Sequence, residues 1–137
     1  MATLFTRIIE GELPGTFVWK DADCVGFLSI QPLKPGHTLV VPRAEIDHWV
    51  DCPPGLRDHL MSVAATIGTA IETVWSPARV GLMIAGLEVP HLHIHVSPIW
   101  EVDDLYFSNA TSATRDELED AAARIVGALT AAGHPGP

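Results

Sequence analysis

Residues 90–98 read PHLHIHVSP, with histidine and aliphatic residues in strict alternation from His91 to Val96. No other feature narrows the fold as much. In an extended strand successive side chains point to opposite faces, so His91, His93 and His95 share one face and Leu92, Ile94 and Val96 the other. A helix would break up the row, because His93 would lie nearly opposite His91 and His95. The alternation therefore predicts a strand over residues 90–99. Its apolar side packs on a core layer and its histidine side points to a cleft or to solvent.

Three chemistries fit such a row. Same-face neighbours on a strand stand about 6.5–7 Å apart, which puts the outer two about 13 Å apart. Zinc takes nitrogen ligands at about 2.0–2.1 Å, so three from one strand converge poorly, although two can share a metal with ligands from elsewhere. A solvated strand face is the second reading. The third is catalytic: neutral imidazole is a nucleophile near neutral pH, and clustered histidines disfavour one another's protonation. One nitrogen could then attack phosphorus while its neighbours hold non-bridging oxygens and protonate the leaving group.

The rest of the chain supplies a frame for that strand. TLFTRII (3–9) has the pattern of a short amphipathic helix stopped by Gly11. TFVWK and CVGFL flank a polar turn at 21–23 and read as a hairpin. QPLKPG is a loop, and HTLVVP after it is apolar enough for a central strand buried on both faces. RAEIDHWV (43–50) reads as a short helix. Beyond it Leu56, Leu60, Val63, Ile67, Ile71 and Val74 recur at three- and four-residue steps, the stripe of one long helix between the prolines at 53–54 and Pro77. RVGLMIA (79–85) is a strand joined to the histidine strand by a tight connection around Gly86. Thr114 and Glu117 have capping-box spacing and open a terminal helix to about Ala132. His134 falls in a tail expected to be disordered. The fold class that results is α+β: a mainly antiparallel sheet, one long helix and a C-terminal helix.

With 137 residues the chain is sized for one domain. A net charge of −9 argues against nucleic acid or an anionic membrane as a partner, since both need a basic face. Cys24 and Cys52 make no disulfide framework, no apolar run approaches the ~18 residues of a membrane span, and the expected location is cytoplasmic.

HLHIHVSP matches the His-x-His-x-His-x-x pattern of the histidine triad (HIT) superfamily, and the likeness extends well beyond it. FTRIIEGELPGTFVWKDADCVGFLSIQPLKPGHTLVVPR resembles that family's N-terminal half, and Gly86 falls where the family has a glycine before the triad. The likeness runs from about residue 3 to residue 99 and is strongest to the nucleotide-binding, dimeric branch. It implies a five-stranded antiparallel sheet, with 1–110 as the histidine-triad domain and 111–137 as the C-terminal helix and tail of the same domain. It implies a homodimer acting on a purine nucleotide-type substrate: hydrolysis of a phosphoramidate or phosphoanhydride, or nucleotidyl transfer, at the α-phosphorus through a covalent nucleotidyl-histidine. The nucleophile would be His93, with His91 and His95 flanking the phosphate and His37 as an additional active-site histidine. Ser29, Ile30, Gly86, Leu87 and Glu88 would hold the nucleotide.

Departures from the family pattern cluster in that holding shell. Ser29 stands where relatives commonly carry an aspartate contacting the ribose hydroxyls. Gly86-Leu87-Glu88-Val89 replaces Gly-Gln-Ser/Thr-Val, which loses a polar side chain and brings a carboxylate near an anionic substrate. These departures favour, as the alternative, a catalytically weak nucleotide-binding regulatory dimer; a metal-binding module is a third reading. Some relatives hold a structural zinc through an N-terminal cysteine pair and a later histidine. Phe5, Thr6 and Glu45 fall in that neighbourhood here, so no structural zinc and no cofactor is expected.

Overall fold

The computed structural model describes all of residues 1–137. Strands β1 (Phe17–Lys20), β2 (Cys24–Leu28), β3 (Thr38–Pro42), β4 (Arg79–Met83) and β5 (Ile94–Ile99) form one antiparallel sheet in the order β1-β2-β3-β5-β4. Three helices accompany it: α1 (Leu4–Ile9), α2 (Pro54–Trp75) and α3 (Arg115–Ala131). The α+β arrangement of a five-stranded sheet, one long helix and a C-terminal helix is the one the sequence predicts.

Strand alternation divides the apolar residues between two layers. Cys24, Leu28, Val40, Ile94 and Val96 meet Leu60, Val63, Ile67 and Ile71 of α2 and Ile125 and Leu129 of α3 on one face. Val25, Phe27, Leu39 and Val41 pack with Phe5 of α1 on the other. Both faces are covered, which is why β2 and β3 are apolar at nearly every position. The long helix lies hard against the sheet: a Cβ at Gly26 would stand 2.9 Å from Cδ1 of Ile67.

The helix ends follow local chemistry. Thr3 caps α1 by accepting the Thr6 N–H at 3.1 Å. Pro54 sits in the first turn of α2, and Ser76 ends that helix in the left-handed region at φ 47°. Thr114 and Glu117 close both arms of a capping box on α3, at 3.1 and 3.0 Å.

Four local expectations need correction. Residues 43–50 form no α-helix; a single 3-10 turn covers Trp49–Asp51, and the Ile46 carbonyl instead accepts the Leu92 N–H at 2.6 Å. The histidine strand starts at Ile94 rather than at Pro90, so only His95 of the row has a ladder partner. Gly86, at φ +76°, therefore lies in a connection over residues 84–93 and not in a tight turn. His134 is not loose: its ring packs on Trp19 with centroids 5.5 Å apart.

Candidate active site

The apolar half of the alternation faces the core as expected, but the histidine half is covered as well. His91, His93 and His95 are 0, 6 and 8% exposed and His37 is 2% exposed, which rules out a solvated face. The cover is α1. Phe5 sets its ring edge-on to His91 and His93, at centroid distances of 5.7 and 4.9 Å, and to Phe27 at 5.5 Å. Phe107 closes the far side against His95 at 5.0 Å.

Burial obliges most of the ring nitrogens to find partners, and the partners fix the tautomers. The Leu33 N–H donates to Nδ1 of His37 at 3.0 Å, so His37 carries its proton on Nε2. That Nε2–H donates to Nδ1 of His95 at 2.9 Å. The proton of His95 is thereby placed on Nε2, which has no protein partner. Nδ1–H of His93 donates to the His91 carbonyl at 2.7 Å, which leaves Nε2 of His93 as a free lone pair. Nε2–H of His91 donates to the Pro42 carbonyl at 2.8 Å, and its Nδ1 takes the Thr3 hydroxyl at 2.6 Å.

Burial disfavours the charged forms of three of these rings, His37, His93 and His95. Burial, with the nearby charge of His93 acting the same way, lowers His37 to about 4. Burial and then His37 and His93 lower His95 to about 3. Burial also lowers His93; the hydrogen bond to His91 O and the charge of Glu88 work against it, and the charge of His91 works with it. A neutral imidazole is the form in which histidine is nucleophilic.

A cleft of about 740 Å³ is lined by both histidines with a free ring nitrogen, His93 and His95. His37, His93 and His95 are in its floor, and Leu4, Phe5 and Ile8 of α1 and Phe17 and Phe27 of the sheet form apolar walls. Ser29, Ile30 and Glu88 line it too. Gly86 and Leu87 do not; they border a smaller hollow of about 280 Å³ that also reaches His93. Leu87 is 93% exposed. His91 is absent from the lining of the cleft and both its ring nitrogens are bonded, while its carbonyl accepts Nδ1–H of His93. Ser29 Oγ accepts the Gln31 N–H at 3.3 Å and its own N–H donates to the His37 carbonyl at 3.0 Å.

Several residues at the site had no assigned role in the sequence. Leu33 acts through its backbone, which no sequence motif marks. Arg115 and Glu119 reach the cleft from α3 because Ala113 N–H bonds the Ile30 carbonyl at 3.1 Å and draws that segment over. Thr3 carried one usable signal, a threonine just before a helix start. Near the start of α1 the Thr3 and Thr6 hydroxyls lie 3.2 Å apart, and the Thr6 hydroxyl donates to Glu45 Oε1 at 2.8 Å.

The side chains that come closest to a metal-binding set lie elsewhere. Ligand atoms of Asp21, Cys24 and His59 fall within 4.8 Å of one another. Their geometry already has another use. Asp21 accepts from Trp19 Nε1–H, His59 Nε2–H and the Asp23 and Cys24 N–H groups, each at 2.8 Å, and so ties the β1–β2 turn to α2.

Comparison with known proteins identifies the family. The family model described as the HIT domain matches residues 10–101. An uncharacterised HIT-like protein of Methanocaldococcus jannaschii is 33% identical over 124 residues, covering 84% of this chain and 94% of its own. An adenylylsulfatase of Arabidopsis thaliana is 28% identical over 128 residues, covering 90% of this chain and 65% of its own. Among solved structures, a hypothetical histidine triad nucleotide-binding protein from Sulfolobus tokodaii superposes with a TM-score of 0.80 at 25% identity, over 93% of this chain and 91% of that one. No helix is long and apolar enough to cross a membrane. With a family model matching its sheet from residue 10 to 101 and a 33% identical relative covering 84% of it, this chain belongs to the HIT-domain family.

Proposed function

We propose that the chain hydrolyses or transfers nucleotides at the α-phosphorus, with His93 as nucleophile. One observation carries this reading: Nδ1–H of His93 is bound to a carbonyl, so the lone pair on Nε2 is the free one, on a side chain that lines the cleft. Nε2 attacks phosphorus, forming the P–N bond as the bond to the leaving group breaks. The departing group keeps the bonding pair and takes a proton from water. The hydroxide so formed attacks phosphorus, the pair returns to Nε2, and a nucleoside monophosphate is released. Nε2–H of His95 donates to a non-bridging oxygen, and His37 holds His95 in the tautomer that can do so. The apolar, aromatic-walled cleft suits a purine nucleoside.

Mass spectrometry of a substrate-quenched reaction tests this directly. A nucleotidyl adduct on His93, lost in His93→Ala together with turnover, is expected. No adduct, with His93→Ala as fast as the wild type, would sink the mechanism. A second reading, nucleotide binding with little turnover, is favoured by Leu87 and Ser29: the first offers no polar group and the second already holds the Gln31 N–H. Affinity for nucleoside monophosphates without turnover across a phosphoramidate and phosphoanhydride panel would decide for it.

The family-level homodimer has a surface to use. β4 is a sheet edge, and Leu82 on it and Met61 on α2 are exposed beside a shared hollow of about 270 Å³. A second copy adding its own β4 would pair the edge and cover both side chains. Light scattering should give twice 14.7 kDa for the wild type and a monomer for Leu82→Arg. The two buried free thiols suit a reducing cytoplasm.

A further inference from the structure

His91 and His93 precede β5, so the sheet ladder does not hold them. Backbone groups supply three anchors instead. The His91 N–H donates to Val89 O at 2.8 Å, the Leu92 N–H to Ile46 O at 2.6 Å, and the His91 ring Nε2–H to Pro42 O at 2.8 Å. The fourth anchor is a side chain 88 positions away, the hydroxyl of Thr3 against Nδ1 of the fully buried His91 ring.

We propose that Thr3 is a positioning residue for His93. Its hydroxyl holds the His91 ring as the Nε2–H tautomer against Pro42, and so fixes the carbonyl that orients the nucleophile. A hydroxyl has one proton to give. Thr3 Oγ1 lies 2.6 Å from His91 Nδ1 and 3.2 Å from Thr6 Oγ1, so the proton goes to the histidine. Thr6 does not compete for His91, since its own hydroxyl donates to Glu45 at 2.8 Å. The lone pairs of Thr3 Oγ1 meanwhile accept the Thr6 N–H and cap α1. One oxygen thus belongs both to the helix that walls the cleft and to the clamp on the nucleophile's neighbour. Phe5, two residues on, packs on both rings. Without the hydroxyl, Nδ1 of His91 is a buried acceptor with no donor, and its ring is free to exchange tautomers or turn.

The kinetic arm of the test rests on the proposed nucleotidyl chemistry; the spectroscopic arm does not. Nitrogen-15 NMR of the wild-type histidine rings should show His91 protonated on Nε2 and His93 on Nδ1. Finding either on the opposite nitrogen overturns the proposal without any variant. Thr3→Val keeps the branched shape and removes the hydroxyl, while Thr3→Ser restores it. Thr3→Val is expected to mix the tautomers of His91 and His93 and to lower kcat about tenfold, the equivalent of about 1.4 kcal/mol of lost positioning, with KM within about twofold. Thr3→Ser should recover both. Wild-type kcat and tautomers in Thr3→Val would refute the role, and so would a raised KM at unchanged kcat, which would make Thr3 only a cap for α1. If the wild type turns over no nucleotide, the functional reading fails while the NMR result still judges Thr3.

Discussion

Acidification tests the buried histidines together. His37 and His95 stay neutral in the fold, at about 4 and about 3, because burial disfavours their charged forms. Geometry supplies an independent reason: the only basic nitrogen of His37 already takes the Leu33 N–H, and Nδ1 of His95 already takes Nε2–H of His37, so protonating either nitrogen breaks a bond. In the unfolded chain both titrate near 6.5. The folded values are the lower ones, so the unfolded chain binds protons first as pH falls. Their contribution is complete above about pH 6.5 and is lost as pH drops toward about 4 for His37 and about 3 for His95. At pH 5 each unfolded histidine lies about 1.5 units below its midpoint, a loss of about 2 kcal/mol apiece and about 4 kcal/mol together. That is a large share of a typical ~5–15 kcal/mol. Urea melts at pH 7, 6 and 5 measure it and stay above the range where carboxylates such as Asp21 begin to titrate. His37→Gln, which keeps an acceptor for Leu33 and a donor for His95, should remove about 2 kcal/mol of the fall. A flat stability between pH 7 and 5, or NMR midpoints of 6 to 7 for both rings, would refute the reasoning.

Glu88 raises the pKa of His93, so Glu88→Gln should move the acid limb of the pH–rate profile to lower pH and lower KM for an anionic substrate; pH-dependent kinetics check both. Gly36 sits at φ +97°, and a Cβ there would meet the Trp75 ring at 2.6 Å, so Gly36→Ala should destabilise by at least ~2 kcal/mol in urea melts. Burial works to raise the pKa of Asp21, but bonds from Trp19, the Asp23 and Cys24 N–H groups and His59 outweigh it and hold the carboxyl well below the usual range. Asp21→Asn replaces the acceptor charge and one acceptor oxygen, and should lower the urea-derived stability at pH 7 by ~1–3 kcal/mol.

Period was legible in the sequence wherever a layer was continuous. The α2 stripe, the two-sided burial of β3 and the α3 capping box follow from spacing, and the structure has all three. What failed depended on a partner distant in sequence. The helix expected over residues 43–50 gives way because the Ile46 carbonyl bonds Leu92. β5 starts late because β3 ends at Pro42, whose carbonyl goes to the His91 ring and whose nitrogen has no proton for a ladder bond. Alternation sorted the triad onto one face correctly but could not tell a solvated face from a covered one. That difference is made by Phe5, a residue some ninety positions upstream.

Coverage then determines which histidine can do what. His37, His91, His93 and His95 have two ring nitrogens each; both are bonded in His37 and His91, and Nδ1 is bonded in His93 and His95. No buried side-chain polar atom lacks a partner, so the remaining nitrogens, Nε2 of His93 and Nε2 of His95, are the two that depend on the cleft. By the tautomers their neighbours impose, one is a lone pair and the other an N–H, on rings 4.9 Å apart. A lone pair for phosphorus beside a donor for its oxygen is the minimum the proposed reaction needs. In that proposed reaction three identical residues would serve as a carbonyl anchor, a nucleophile and a donor, sorted by the backbone, hydroxyl and His37 groups around them. Glu88 fits this arrangement: with both free nitrogens neutral, a nearby carboxylate limits how far burial can lower His93.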